Sequence, residues 1–186
     1  MDEVVTMKLE STPIVDLHEV IFEHHKDSRG FFTKSYQKTS FNLMHQPFEI
    51  AECFYSLSLK NTVRGMHYQS PQLNQSKLVF CVHGEIRDVV LDLRPKSPTF
   101  GNFYDRILDQ DSQIGLLIPP GVAHGFCVTS TEPALVNYYS SSEYDPQHDL
   151  GVLWNSFGFN WNLSSPIISE RDSKFITMAE YRAKYT

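Results

Sequence analysis

The feature that most constrains this chain is a succession of short runs rich in β-branched and aromatic residues, cut at close intervals by turn chemistry. The runs cover 54–59, 77–82, 86–93, 114–118, 122–128 and 134–139. Between them stand His83-Gly84-Glu85, Pro95-Lys96-Ser97-Pro98, Pro119-Pro120-Gly121 and Tyr144-Asp145-Pro146. Many short strands at regular spacing indicate a sandwich or barrel. Helical periodicity is scarce: 40–44 predicts one turn and 173–184 a C-terminal helix. No repeat, low-complexity tract or Gly/Ser linker divides the 186 residues. They read as one domain, 1–186, mostly antiparallel β, and long enough to bury a core without staples.

Charge and cysteine usage narrow the function classes. The formal net charge is −6, which argues against a nucleic-acid partner because phosphate-backbone binding needs a basic face. A few local cations could still hold a small anionic ligand. Cys53, Cys81 and Cys127 are an odd number, none in a CxxC pair and each in an apolar run. They predict buried free thiols in a reducing compartment, not a disulfide frame or a zinc knuckle. Residues 1–10 are acidic without an apolar segment, so no secretory signal is expected there. No window approaches the ~18 apolar residues of a membrane span. A soluble cytoplasmic protein is expected.

Two segments can carry chemistry. In Arg64-Gly65-Met66-His67-Tyr68-Gln69 a glycine lets the backbone bend, and a cation and an imidazole could both point into a barrel mouth. A loop arginine with a capped surface histidine is the competing reading. In Pro119-Pro120-Gly121-Val122-Ala123-His124-Gly125-Phe126 a rigid turn delivers a histidine onto a strand. This P-x-G-x-x-H string resembles the second signature of the cupin superfamily, a double-stranded β-helix or jelly roll. Its competing reading is a histidine bonded within a packed barrel.

The metal question follows from the donor set. Metal cupins supply H-x-H and a following glutamate. Here the string is His67-Tyr68-Gln69, and Asn74-Gln75-Ser76-Lys77 stands where the glutamate would come. An ammonium beside two histidines repels a divalent cation. Lys77 and Arg64 suit a developing oxyanion instead, so acid–base chemistry with no metal and no cofactor is expected. His24-His25 are adjacent on a candidate strand, hence on opposite faces, and read as surface residues.

A collinear set of strings resembles the dTDP-4-dehydrorhamnose 3,5-epimerase family. It comprises 27–32, 64–69, 77–79, 84–89, 92–94, 97–101, 118–126, 154–155 and 169–172. The resemblance implies an all-β jelly roll (cupin) with short peripheral helices. It implies epimerisation at C3 and C5 of a nucleoside-diphosphate 4-keto-6-deoxy-hexose. A ketone at C4 acidifies both positions, so the reaction needs a base, an oxyanion clamp and an acid across the ring. On the family pattern His67 is the base, Asp172 its partner, Tyr138 the acid and Lys77 a catalytic cation. Arg64, His124, Arg29 and Phe32 bind substrate, and the protein is a homodimer whose N-terminal strands join across the interface. From its residues alone, Asp172 reads as a helix cap, since Ser169 stands three residues before it. Tyr138 reads as a strand-core aromatic, with Tyr139 the better core or interface residue.

The chain departs from the family pattern at Lys34, Glu52, Cys53 and Phe54, on the nucleoside side. Alternatives therefore stand beside the main expectation. One is a single-position epimerase, for example on a CDP-linked 4-keto-3,6-dideoxy hexose. The others are a metal cupin oxygenase and a non-enzymatic sugar-nucleotide binding module.

Overall fold

The computed structural model describes residues 7–44 and 46–185. The reading of residues 1–6 as lacking a signal lies outside the described residues. Thirteen strands are described: β1 Lys8–Ser11, β2 His18–Ile21, β3 Glu23–Asp27, β4 Gly30–Lys34, β5 Glu52–Ser58, β6 Val63–Gln69, β7 Lys77–His83, β8 Glu85–Asp92, β9 Phe103–Asp109, β10 Ile114–Ile118, β11 Val122–Val128, β12 Ala134–Ser140 and β13 Asp149–Gly151. Two short helices are α1 Lys38–Leu43 and α2 Met178–Tyr185. All six runs read from the sequence are strands.

The strands form a six-stranded sheet, β1-β2-β10-β7-β12-β5, and a five-stranded sheet, β13-β6-β11-β8-β9. All pairings within them are antiparallel. The β3–β4 hairpin stands apart as a two-stranded ribbon. Strand side chains alternate between faces, and the core follows that period. Val79 and Cys81, Leu116 and Ile118, Val136 and Tyr138 face Ile86 and Val90, Val122 and Phe126 in one interior cluster. The alternate residues Val89, Leu91, Ala123 and Cys127 pack outside the five-stranded sheet with Trp161 and Tyr181. Leu78 and Phe80 pack outside the other sheet with Phe41 and Phe48. This is the all-β jelly roll expected. No described helix is long and apolar enough to cross a membrane.

Two expectations are corrected. The C-terminal helix does not run from 173: Asp172–Lys174 is a 3₁₀ turn and α2 starts at Met178. Ile176 bridges Val152 in between, which holds the chain extended. Thr177 then starts the helix with a capping box: Glu180 N–H donates to Thr177 Oγ1 at 3.2 Å, and Thr177 N–H donates to Glu180 Oε2 at 2.7 Å. Of the three cysteines, Cys81 and Cys127 are buried but Cys53 is exposed. Cys53 lies on β5, the edge of its sheet, where the outer face is uncovered. Burial pushes the thiols of Cys81 and Cys127 up, to about 12 and about 11, so both stay protonated and inert.

Candidate active site

Alternation along the strands aims the site residues inward. Lys77 shares its face with Val79 and Cys81 on β7, and Tyr138 with Val136 on β12. His124 lies between the interior residues Val122 and Phe126 on β11, and Asp88 between Ile86 and Val90 on β8. Strand β6 is less regular. Arg64 pairs with Phe126, and His67 with His124. Three steps on β6 thus oppose two on β11, a bulge that re-aims the strand. Directly paired residues share a face, so both Arg64 and His67 turn toward the interior. Gly65, at φ +130°, makes this possible: a Cβ there would lie 2.5 Å from Gly125 Cα and 2.9 Å from His124 O.

His67 Nε2 lies 2.9 Å from Asp172 Oδ1. The other Asp172 oxygen accepts the Gly65 N–H at 3.1 Å. The side chain of Asp172 therefore serves β6, while its N–H donates to Ser169 Oγ at 3.0 Å. In the cap expected from the sequence, Ser169 is the capping residue and Asp172 the capped one. Burial alone would raise the Asp172 carboxyl; His67, the Gly65 N–H and Ser169 reverse that and hold it well below the usual carboxylate range. Arg64 Nε donates to Ser58 Oγ at 2.9 Å. Arg64, His67, Asp172, Arg171, Ser58 and Ser169 line one cavity of about 570 Å³.

Deeper in the sandwich, His124 Nε2 lies 2.7 Å from Asp88 Oδ2, and both residues are buried. The Tyr138 ring is edge-on to His124 at 6.1 Å and stacks on Phe54 at 4.7 Å. Its hydroxyl lies 3.4 Å from Ser56 Oγ. Burial raises the Tyr138 phenol, against the Ser56 hydrogen bond, so it keeps its proton for donation. Burial pushes the Lys77 ammonium down, Asp149 and Glu52 oppose that, and Arg171 adds to it. Tyr139, one residue on, faces outward: it packs on Phe80 and its hydroxyl meets Ser35 Oγ at 2.9 Å.

The structure brings His67, Asp172 and Arg64 to one cavity, sets His124 opposite His67 on the neighbouring strand and Tyr138 against His124, and leaves Lys77 within the field of Asp149 and Arg171. It does not bring Arg29 or Phe32 there. Both lie on the β3–β4 hairpin, around a separate hollow shared with His25, Asp27 and Phe31. Arg29 is 87% exposed and paired with Asp27. Lys34, also on the hairpin, pairs with Glu23 at 3.0 Å. Reading the sequence missed Asp88, Arg171 and Asp149. Asp88 carries a legible signal, a carboxylate at an inward position between two core aliphatics. Arg171 and Asp149 sit in polar loops and a three-residue strand, where no period exists to read.

A family model described as dTDP-4-dehydrorhamnose 3,5-epimerase matches residues 11–180. The chain belongs to that family. It is 37% identical over 158 residues to the dTDP-4-dehydrorhamnose 3,5-epimerase of Escherichia coli K12, covering 83% of this chain and 85% of the relative. It is 35% identical over 179 residues to the dTDP-4-dehydrorhamnose 3-epimerase of Streptomyces niveus, covering 95% of this chain and 86% of the relative. A solved dTDP-6-deoxy-D-glucose-3,5-epimerase from Legionella pneumophila, in complex with dTDP-4-keto-L-rhamnose, is similar with a TM-score of 0.87 and 32% identity. That match covers 94% of this chain and 96% of the other. The epimerase family and the jelly roll implied by the sequence strings are thus what the comparisons give.

Proposed function

We propose that this epimerase inverts C3 and C5 of a dTDP-linked 4-keto-6-deoxy-hexose. His67, oriented by Asp172, removes the proton beside the ketone, and the bond's electron pair moves to the C4 oxygen. Lys77, Arg64 and His124 hold that enolate and the substrate. Tyr138 returns a proton from the opposite face, which inverts the centre. The observation that carries this reading is the 2.9 Å approach of His67 to a buried carboxylate at the wall of a cavity that also holds Arg64. An imidazole beside a carboxylate gains stability when it takes up a proton.

The relatives' names carry dTDP, so the CDP-linked alternative is not favoured. The test is deuterium wash-in from solvent, run in parallel with dTDP-, CDP- and GDP-linked 4-keto sugars. Two deuteriums in the dTDP sugar are expected, at C3 and C5, and one alone would reduce the reaction to a single position. His67→Asn is expected to bind substrate yet lose wash-in at both; retained wash-in would overturn the role of His67.

The protein acts as a cytoplasmic homodimer in this reading. Phe31, Phe32, Tyr55 and Leu57 are exposed on the hairpin and the β5 edge, an apolar surface a second copy would cover. Arg29 and Phe32 of one copy would then serve the partner's site. Sedimentation at twice 21.4 kDa is expected; a fully active monomer would refute it.

A further inference from the structure

His67 Nε2 meets two groups with opposite demands. Arg171 donates to it from Nη2 at 2.8 Å, and Asp172 Oδ1 lies 2.9 Å away. A guanidinium only donates, so the first contact needs a bare lone pair on Nε2. An ionised carboxylate only accepts, so the second needs a proton there. A neutral imidazole satisfies one of them at a time. With Arg171 in place its proton belongs on Nδ1. With Arg171 gone, Nε2–H can donate to Asp172 and Nδ1 is left bare, the tautomer a carboxylate-oriented base requires.

Arg171 reaches the base from the solvent side. Its side chain is 52% exposed and lies against the Phe175 ring, with 5.6 Å to the ring centre. Its Nη1 is held by Asp149 Oδ2 at 2.5 Å, and its Nε by Asp172 Oδ1 at 3.2 Å. It faces the same cavity as Arg64, Ser58 and Ser169. A diphosphate there is a bidentate acceptor of higher charge than either carboxylate, and guanidinium matches its geometry.

We propose that Arg171 is a latch on the base, a positioning residue that acts through His67. With the guanidinium where the structure places it, Arg171 caps Nε2 and holds the imidazole in the Nδ1–H tautomer. A diphosphate entering the cavity draws the guanidinium off. The imidazole proton then moves through solvent from Nδ1 to Nε2, where Asp172 receives it, and the base is competent only when the ligand is bound. This rests on the epimerase reading for the identity of the diphosphate.

The experiment is a long-range ¹H–¹⁵N correlation of the histidine rings, run about two pH units above the ordinary imidazole value. His67 is assigned by loss of its signals in His67→Asn. The free protein is expected to show Nδ1–H, and Arg171→Met to show Nε2–H. Adding dTDP, or inorganic pyrophosphate alone, is expected to shift the wild type to Nε2–H. Should Arg171→Met unfold, Arg171→Gln serves as the second variant. The Nε2–H tautomer in the free wild type overturns the latch, as does a tautomer that neither anion changes. Deuterium wash-in stands apart from this readout: a protein that washes in deuterium yet shows Nε2–H when free loses the latch and keeps the epimerase.

Discussion

Asp88 and His124 meet at 2.7 Å in the interior of the sandwich, from adjacent strands, with both side chains out of water. Burial raises the Asp88 carboxyl and His124 opposes it. Such a carboxylate fixes which nitrogen of the imidazole carries the proton and how the ring is turned. Asp88→Asn keeps the shape but loses the charge, and kcat/KM is expected to fall by about one to two orders of magnitude, the cost of losing an outer-shell partner. Asp88→Ala leaves His124 without its partner and is expected to cost about 3 kcal/mol of stability. Steady-state kinetics and urea unfolding check the two; an unchanged kcat/KM in Asp88→Asn would remove Asp88 from the site's support.

Tyr138 and His67 have separable tasks. If Tyr138 supplies only the returning proton, Tyr138→Phe still permits His67 to remove a substrate proton, exchange it with solvent and give back deuterium on the same face. Wash-in without inversion is expected, with epimerised product reduced at least about a hundredfold, the lower end of the range for one acid group. Wash-in and inversion lost together to the same degree would mean that the phenol acts before or during enolate formation.

Acid stability follows from two depressed carboxyls. Asp172 is held low as described, and Asp92 is held low by Arg94, Ser97 and Thr99 against the opposing effect of burial. A carboxyl whose folded pKa lies below its unfolded value of about 3.9 stabilises the native state above that value. The contribution is lost as pH falls through the folded value. Stability is therefore expected to decline below about pH 4, less steeply in Asp172→Asn than in the wild type. Asp88 works in the opposite sense because its carboxyl is raised, so the difference between wild type and variant is the quantity to read. Urea unfolding across the acid range tests this; parallel curves would contradict it.

Gly65→Ala forces a side chain into a left-handed backbone and against the backbone of Gly125. Neither can yield cheaply, and a loss of about 3 kcal/mol is expected. Because Gly65 sits inside the bulge that aims His67, activity should fall beyond what partial unfolding explains. Differential scanning calorimetry with kinetics at a temperature where the variant is folded separates the two; full activity there would show that the bulge tolerates the change.

Thr177→Ala removes one half of the capping box that opens α2. About 1 kcal/mol is expected, with little change in kcat/KM because Thr177 touches none of the site residues. Thermal unfolding and kinetics check both halves of the expectation.

The strands were legible where a run is buried. In β7, β8, β10 and β11 both faces pack, one in the interior and one against an outer cluster, so nearly continuous apolar runs stand out, and β12 alternates. The polar hairpin β3–β4 and the exposed strand β1 bury little, and nothing in their pattern separates strand from loop. The early start expected for the C-terminal helix has the same origin. The Thr177–Glu180 box is visible in the sequence, but the bridge between Ile176 and Val152 is not, and it is that bridge which separates the 3₁₀ turn from α2.

The sequence by itself marked six of the described strands and, through its ordered strings, the epimerase family. Period two along a strand is a local property, and in the folded β7, β11 and β12 it turns Lys77, His124 and Tyr138 to the interior, Tyr138 rather than the Tyr139 preferred from the sequence. Only the tertiary structure decided the aim of His67 and the company it keeps. His67 faces inward because β6 bulges against β11, and Arg171 reaches it from 104 residues away. Register and chain crossing bring such groups together, and they arise from the packing of the two sheets as a whole, which no window along the chain contains.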